Sequence, residues 1–286
     1  MGDTIAKYLF KRAGLFFVCA LLLASAYGCR EPRFIKASDM SEAGLPQVLD
    51  EAKKADLVFV GELHSSQAHH ELQLGVIKAL RQAGGPVAIG LEMFKAEDQD
   101  ELDKWTSGRM DEREFKQVYN RNWQIPWEKY EDIFRYARDN HVPLIGLNIS
   151  RKIIHQVFQN GFASLTPDEL REVPGVMCDV DAEYEEFIRR AMKEHDIKGA
   201  SFLNFCEAQM VWDTAMAQNA VDFLKKNPGV KMIVLAGGGH SWKRGIPEQV
   251  KRRSNYASLV ILPEMPDDKL VAEEINDNDA DYIWVE

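Results

Sequence analysis

The sequence is poor in cysteine and lacks the motif of a nucleophilic serine. Only 4 of its 286 residues are Cys, and no Gly-x-Ser-x-Gly is present. Neither Cys178 nor Cys206 has a base nearby in the sequence. In an oxidising compartment the two could form a disulfide, but Cys206 lies in an apolar helical run and could equally be a buried thiol. Nucleophilic catalysis is therefore not indicated, and the state of the two thiols stays open.

The sequence also lacks the signals of nucleic-acid and dinucleotide partners. It carries 35 Lys and Arg against 45 Asp and Glu, a net charge of −10, whereas phosphate backbones are bound by clustered cations. The glycines at 237–239 are followed by His240 and Ser241, which breaks the G-x-G-x-x-G spacing of dinucleotide sites. No repeat or Pro/Gly/Ser-rich linker divides the chain, so we expect residues 46–286 to form one domain.

No apolar run has the length of a membrane span, and the clearest one belongs to an N-terminal processing signal. Residues 7–12 carry three basic side chains, and an apolar stretch of 13 residues, Gly14–Ala26, follows them. This length suits the h-region of a signal peptide. The run Ser25–Cys29 then places a small residue before a Cys, which resembles a bacterial lipobox. An ordinary cleaved secretory signal is the alternative.

The lipobox pattern has consequences for the first part of the chain. It predicts a lipoprotein signal peptide over residues 1–28, lipidation of Cys29 and a tether over residues 29–45. Arg30 follows the Cys, in place of the Asp that often signals inner-membrane retention. We therefore expect a membrane-anchored protein, in the outer membrane and facing the periplasm.

Four short apolar runs, separated by helical stretches, indicate parallel strands that are covered on both faces. The runs are Leu57–Val60, Val87–Leu91, Pro143–Leu147 and Met232–Ala236. Helices are predicted over residues 66–83, 95–106, 128–140, 150–160 and 201–226, and further strands over Ala257–Leu262 and, at an edge, Tyr282–Val285. The predicted class is α/β, with a mainly parallel β-sheet flanked by helices and with helical insertions near residues 95–140 and 165–225.

Each of the four strands ends in a polar side chain. These side chains are Glu62 with His64, then Glu92, Asn148 and His240. The two histidines each close a Gly-x-x-His, and glycine lets the backbone turn sharply and approach a ligand closely. Because ligands of parallel sheets bind outside the carboxyl ends of the strands, we predict that these ends form one polar pocket.

The chemistry of this pocket has several interpretations. His64 and His240 with Glu62 and Glu92 could bind a divalent metal such as Mn, Co, Zn or Fe. One of the glutamates could instead act as general base toward a metal-bound water. The ordinary alternatives are a histidine that hydrogen-bonds the next loop and a glutamate that lies at the N-terminus of the following helix.

Further candidates lie on the helices. His69 and His70 point about 100° apart, so at most one faces the pocket, and we favour His70. Gln209 and Asp213 share an aromatic stripe of the 201–226 helix, as a pocket wall or as a helix–helix contact. The aromatic residues between 119 and 130 form a core patch or, alternatively, a wall for a planar apolar ligand.

Taken together, these residues resemble the ChaN-like haem-binding lipoproteins of the Tiki/TraB/erythromycin-esterase superfamily. The resemblance covers roughly residues 46–262. It is carried by Gly61–His64 with His69–His70, Gly90–Phe94 with Gln99 and Trp105, Trp127 and Tyr130, Asn148, Ala208–Gln209 with Trp212–Asp213 and Met216–Ala217, and Gly237–His240 before Gly245–Pro247. Each motif is short, but their ordered set is fairly specific.

The resemblance implies a lipoprotein that binds haem and takes part in iron acquisition. Haem would be held non-covalently, because the sequence has no Cys-x-x-Cys-His. Tyr130 and Tyr184 are the candidate ligands of its iron, since transport-type haem sites often use Tyr. His70, Gln209 and Asp213 are candidates for the remainder of the haem pocket.

The resemblance also implies relatives with a metal-dependent peptidase centre. Its residues here would be His64, His240, Glu62 and Glu92. Haem binding is thus the leading hypothesis, and a metal-dependent hydrolase of peptides or esters, with Glu62 or Glu92 as the catalytic residue, is the alternative. The expected partners are haem or another small ligand and the membrane; a homodimer is compatible with both hypotheses.

Overall fold

The buried run Leu57–Glu62 forms a central strand of an eight-stranded sheet in the computed structural model, which describes residues 32–173, 175–176, 178–191, 201–264 and 275–286. The strands are β1 (Arg33–Lys36), β2 (Ser41–Gly44), β3 (Leu57–Glu62), β4 (Val87–Lys95), β5 (Leu144–Asn148), β6 (Lys231–Gly237), β7 (Ser258–Pro263) and β8 (Tyr282–Val285). Their order across the sheet is β2-β1-β8-β7-β3-β6-β4-β5.

The predicted α/β class with a mainly parallel sheet is confirmed. All neighbours from β8 to β5 are parallel, whereas β1 pairs antiparallel with both β2 and β8. The central strands β3 and β6 are buried along nearly their whole length. This burial explains why their sequences are continuous apolar runs instead of alternating patterns.

Helices cover both faces of the sheet. They are α1 (Leu45–Ala52), α2 (Gln67–Gln82), α3 (Gln99–Thr106), α4 (Glu112–Asn122), α5 (Glu131–Asp139), α6 (Arg151–Asn160), α7 (Pro167–Glu172), α8 (Ala182–Ala191), α9 (Phe202–Lys226), α10 (Gly238–Ser241) and α11 (Ile246–Arg253). Successive residues of β3 face opposite sides of the sheet. Val58 and Val60 therefore join the core under the first insertion, and Leu57 and Phe59 join the core that contains α9.

Local sequence signals place the starts of the helices that follow the strands. Ser66, Ser150 and Ser201 each accept a hydrogen bond from a backbone N–H in the first turn of α2, α6 and α9. Helix α6 ends before Gly161, whose φ of 83° is a conformation that glycine adopts at little cost. The predicted limits of these three helices agree with the structure within about two residues.

The aromatic residues of the first insertion form core. Tyr119, Trp127 and Tyr130 are at most 2% exposed. Their neighbours stack in pairs, and the ring centroids of Trp105 and Phe115 lie 4.4 Å apart. Of the two interpretations of this cluster, the core patch is therefore the one that the structure supports.

Two predictions about the ends of the domain are wrong. Residues 33–44, placed by the sequence in a tether, form the hairpin β1–β2 of the sheet. The run Tyr282–Val285, predicted as an edge strand, lies inside the sheet because β1 pairs along its free side. Both errors have one cause: the segment before residue 45 supplies an additional edge hairpin that short polar strands do not reveal.

The predictions for the first residues cannot be compared with the fold. The signal peptide over residues 1–28 and the lipidated Cys29 lie outside the described residues. Within the part of the chain that the structure describes, no helix has both the length and the apolar character needed to cross a membrane.

Candidate functional site

The two Gly-x-x-His segments meet at the carboxyl end of the sheet because β3 and β6 are neighbours. Their register places Glu62 directly opposite Gly237. Glu92 lies on β4, the other neighbour of β6. The sheet thus brings Glu62, His64, Glu92 and His240 to one edge, in two adjoining clusters of buried polar side chains.

The first cluster surrounds the carboxylate of Glu62, which is 2% exposed. Its Oε1 atom lies 2.6 Å from His64 Nδ1 and also accepts a hydrogen bond from the Tyr130 hydroxyl. Its Oε2 atom accepts a hydrogen bond of 2.7 Å from Gln73 Nε2 and lies 3.4 Å from His70 Nε2. Side chains from three separate segments therefore surround one buried charge.

These contacts determine the protonation of the cluster. Burial alone would raise the pKa of Glu62, but the hydrogen bonds and charges of His64 and His70 hold that pKa well below its ordinary value. Burial opposes protonation of His64, yet the carboxylates of Glu62 and Glu92 raise its pKa. Glu62 is consequently an anion at neutral pH, and His64 is biased toward the imidazolium.

The predicted choice between the adjacent histidines agrees with the structure. His70 lies against the Tyr130 ring, with 4.0 Å between ring centroids, and faces Glu62. His69 points elsewhere, and its Nδ1 atom accepts the backbone N–H of Leu63 at 2.8 Å. Burial lowers the pKa of His69 to about 4, which keeps the accepting nitrogen unprotonated.

The second cluster surrounds His240. Its Nδ1 atom lies 2.6 Å from Asp213 Oδ1, and its Nε2 atom lies 3.8 Å from Glu92 Oε1. The second oxygen of Glu92 accepts the backbone N–H of Gly237 at 2.6 Å. Burial opposes protonation of His240, but the charges of Asp213 and Glu92 outweigh it and raise the pKa of His240 to about 9.

Gly237 separates the two clusters, and a side chain there would crowd His64. A Cβ at this position would lie 3.0 Å from His64 Cε1 and 3.6 Å from Glu92 Oε2. The glycine of the second Gly-x-x-His thus allows the imidazole of the first to approach the β6 backbone closely. The sequence motif therefore corresponds to a steric requirement of the site.

Asn148 and Trp212 connect the second cluster to the protein surface. Asn148 donates through Nδ2 to the carbonyl oxygen of Glu92 at 2.5 Å, and its Oδ1 accepts from Trp212 Nε1 at 2.7 Å. The Trp212 ring lies edge-on to His240, with 4.7 Å between centroids. On its other side Trp212 lines a surface groove, so this one side chain borders both the buried cluster and solvent.

The structure does not assemble the predicted metal site. Among the described residues, no group of three or more His, Cys, Asp or Glu side chains is arranged to hold a metal ion. His64 and His240 each direct Nδ1 at a carboxylate, and Tyr130 occupies one oxygen of Glu62. A divalent metal on His64, His240, Glu62 and Glu92 is therefore not supported; a general-base role of either glutamate stays a prediction.

The tyrosines predicted to bind haem iron are buried. Tyr130 and Tyr184 are 0% and 4% exposed. Burial, followed by the nearby carboxylates of Glu62 and Asp213, raises the pKa of both phenols far above the ordinary value. Iron binding through tyrosine needs an accessible oxygen that can lose its proton. In this conformation neither tyrosine meets that need, and the buried His70 is equally out of reach.

Gln209 lies instead in a groove between α6 and α9. This groove has a volume of about 280 Å³ and is lined by Arg151, Ile154, His155, Phe158, Ala208, Gln209 and Trp212. His155 and Arg151 are not among the site residues that the sequence predicts. The signal was present, since the two stand four residues apart and so share a face of α6, but it lies on a helix and not at a strand end.

The two cysteines within the described residues are free thiols. Cys178 is half-buried and Cys206 is buried, and they form no disulfide. Burial raises the pKa of each thiol to about 12, which keeps both protonated. Of the two alternatives for this pair, the structure contains the reduced one, and neither thiol is activated as a nucleophile.

Comparison with known proteins shows the family to which the chain belongs. A family model described as haem-binding uptake, Tiki superfamily, ChaN matches residues 48–250. The fold is similar to a solved structure described as cofacial heme binding to ChaN of Campylobacter jejuni. That similarity has a TM-score of 0.69 and 21% identity, and it covers 90% of this chain and 97% of the other. At this identity it shows a shared fold.

Two other similarities are weaker. An erythromycin esterase mutant in its open conformation has a TM-score of 0.48 and 16% identity, over 77% of this chain and 71% of that one. This level of similarity carries no argument. The chain is 24% identical to the chloroplastic protein RETICULATA-RELATED 5 of Arabidopsis thaliana in an alignment of 274 positions that covers 86% of this chain and 37% of that protein.

Proposed function

Because the chain belongs to the haem-binding uptake family of the Tiki superfamily that includes ChaN, we propose that it binds haem non-covalently, in the groove between α6 and α9. The family match supports the ligand, and the lining of the groove supports the place. Haem needs a slot with apolar walls and a ligand for its iron. Ile154, Phe158 and Trp212 supply such walls.

His155 is the residue of the groove that suits the iron. An imidazole is a common axial ligand of haem. His155 is solvent-exposed, and among the described residues its side chain takes part in no hydrogen bond or ion pair. It is therefore available, unlike Tyr130, whose hydroxyl is bound to Glu62 in the core. Gln209, on the opposite helix, offers a polar contact at the rim.

The groove is small, and this suits a protein that releases its ligand. Its volume of about 280 Å³ lies just below the usual range for small-molecule sites. A haem in it keeps one face in contact with solvent or with another molecule. The Campylobacter jejuni structure is described as cofacial heme binding. We include in the proposal that a second copy of this chain covers that face.

Titration with haemin tests this proposal. Wild-type protein is expected to give a saturable shift of the haem absorption band. His155→Ala is expected to abolish the spectrum of axial ligation and to raise Kd by on the order of tenfold or more. Gln159→Ala, one turn further along the exposed side of α6, serves as the matched control and is expected to bind as wild type. If haemin gives no saturable change with folded wild-type protein, haem binding is refuted.

The proposal extends to cellular place and role. We propose that Cys29 carries the lipid that anchors the protein to a membrane and that the bound haem serves iron acquisition. This proposal is supported by three consecutive segments: the basic residues 7–12, the apolar run Gly14–Ala26 and the lipobox-like run Ser25–Cys29. Bacterial lipoproteins carry more than one acyl chain, which makes anchoring stable.

Cell fractionation tests the anchor. Cys29→Ser is expected to move the protein from the membrane fraction to the soluble periplasmic fraction, because no lipid can be attached to the hydroxyl by the same route. Cys178→Ser, which changes a thiol inside the domain, is the control and should leave the distribution unchanged. Continued membrane association of Cys29→Ser would contradict lipidation at this residue.

A further inference from the structure

A second cavity opens beside the groove, where β5 passes into α6. It has a volume of about 230 Å³. Four of its lining side chains are cations, Lys95, Arg121, Arg151 and Lys152, and none of the described residues that line it is acidic. In a chain with 45 acidic and 35 basic residues, a cavity whose charged lining residues are all cations is a local reversal of charge. Such a reversal favours an anionic ligand.

Three of these cations pair with carboxylates that do not line the cavity. Lys95 pairs closely with Glu97, and Lys152, which is 76% exposed, lies 3.1 Å from the buried Glu169. Arg121 lies 3.8 Å from Glu101, and its side chain is 58% exposed. A long, exposed pair of this kind contributes little free energy, so an anion that enters the cavity can compete for Arg121 at small cost.

Arg151 differs from the other three. Its Nη2 donates a hydrogen bond of 2.6 Å to the backbone carbonyl of Asn122, and no carboxylate of the described chain lies within ion-pair distance of it. The guanidinium is thus positioned by an uncharged acceptor and keeps its charge uncompensated. A planar guanidinium with free N–H groups binds carboxylates in a two-point geometry.

Arg151 also belongs to both cavities. It lines the cationic cavity and the groove that contains His155. The two spaces therefore adjoin at this side chain, one with apolar walls and one with cations. Haem is divided in a matching way, because its ring system is apolar and its two propionate carboxylates lie on one edge.

We propose that the cationic cavity is the site that binds the propionate carboxylates of haem, with Arg151 as the principal contact and Lys95, Arg121 and Lys152 as the surrounding charge. This inference rests on the proposed haem binding in the groove. The proposed site fixes the orientation of haem: its ring lies between α6 and α9, and its carboxylate edge points toward the end of β5. A free anion, such as inorganic phosphate, is the competing occupant.

Haemin and haemin dimethyl ester, which lacks the two carboxylates, separate these possibilities. We expect wild-type protein to bind haemin on the order of tenfold more tightly than the ester at low salt, and this preference to shrink as salt is added. Arg151→Gln is expected to weaken haemin binding by a similar factor and ester binding by less, so that most of the preference for haemin over the ester is lost. The axial-ligand spectrum should persist in this variant, because His155 is intact.

The matched control is Arg252→Gln, which removes an exposed arginine of α11 that lines neither cavity. Equal affinity of wild type for haemin and ester would overturn the inference and leave haem binding in the groove standing. The inference is also overturned if inorganic phosphate raises the Tm of wild type but not of Arg151→Gln, while wild type binds haemin and the ester equally well. If neither compound binds saturably, the proposed function and this inference both fail.

Discussion

Replacing Glu62 by Ala is expected to lower the free energy of unfolding by about 3–5 kcal/mol, the usual range when one partner of a buried charged network is removed. The carboxylate is 2% exposed. Its loss leaves the buried Tyr130 hydroxyl without an acceptor, and it removes a hydrogen-bond partner of Gln73 Nε2 and of His64 Nδ1. The Tyr130 hydroxyl then carries an uncompensated desolvation cost, whereas Gln73 Nε2 still donates to the Val60 carbonyl oxygen and His64 is 33% exposed to solvent.

Urea unfolding at neutral pH measures this effect. Glu128→Ala is the matched control, because that side chain is 66% exposed and pairs only across the surface with Lys116; it should change stability by less than about 0.5 kcal/mol. Glu62→Gln keeps the volume and one acceptor and should fall between the two. A Glu62→Ala protein within about 1 kcal/mol of wild type would contradict a buried, fully engaged carboxylate.

Stability is also expected to fall as pH rises through the titration of His240. The pKa of this imidazole is raised to about 9 in the folded protein, whereas an unfolded histidine titrates near 6.5. A raised pKa means that the folded state holds the proton more tightly. Its stabilising contribution is therefore complete below about pH 6.5 and is lost as pH rises through about 9, a change of about 3 kcal/mol.

Asp213→Asn isolates this contribution. A neutral amide stabilises the imidazolium much less than a carboxylate does, so the decline in unfolding free energy between pH 6 and pH 10 should be clearly smaller in this variant than in wild type. Urea unfolding at several pH values gives the comparison, and other groups that titrate in the range cancel in the difference. Asp50→Asn, at an exposed position of α1, serves as control. Identical pH slopes for wild type and Asp213→Asn would exclude the proposed linkage.

Much of the site follows from local sequence. The continuous apolar runs identify β3, β4, β5 and β6, and the parallel arrangement sends their carboxyl ends to one edge. This is enough to predict that Glu62, His64, Glu92 and His240 converge, because strand direction and the position of a residue within its strand are local properties. The helical period likewise predicts that at most one of His69 and His70 faces the pocket, although it does not say which.

The hydrogen-bond partners that come from distant segments of the chain could not be predicted from the sequence. Tyr130 reaches Glu62 across 68 residues, and Asp213 meets His240 across 27. No periodicity encodes which helix packs over which strand end, so a candidate iron ligand such as Tyr130 proves to be a buried hydrogen-bond donor. Only the packing shows that the Tyr130 hydroxyl already donates a hydrogen bond to Glu62. It also shows that the exposed imidazole of His155 has no such partner among the described residues.

At the edges of the sheet, too, the local sequence predicts the strand and the packing decides its neighbours. The local pattern determined that Tyr282–Val285 is a strand, because four consecutive residues there suit an extended, buried segment. Whether that strand is an edge depended on β1, whose Phe34 pairs with Trp284 at the opposite end of the chain. The sequence by itself thus determined elements and the direction of their ends; the tertiary structure alone decided the neighbours, since these depend on surfaces that are complementary only after the chain has folded.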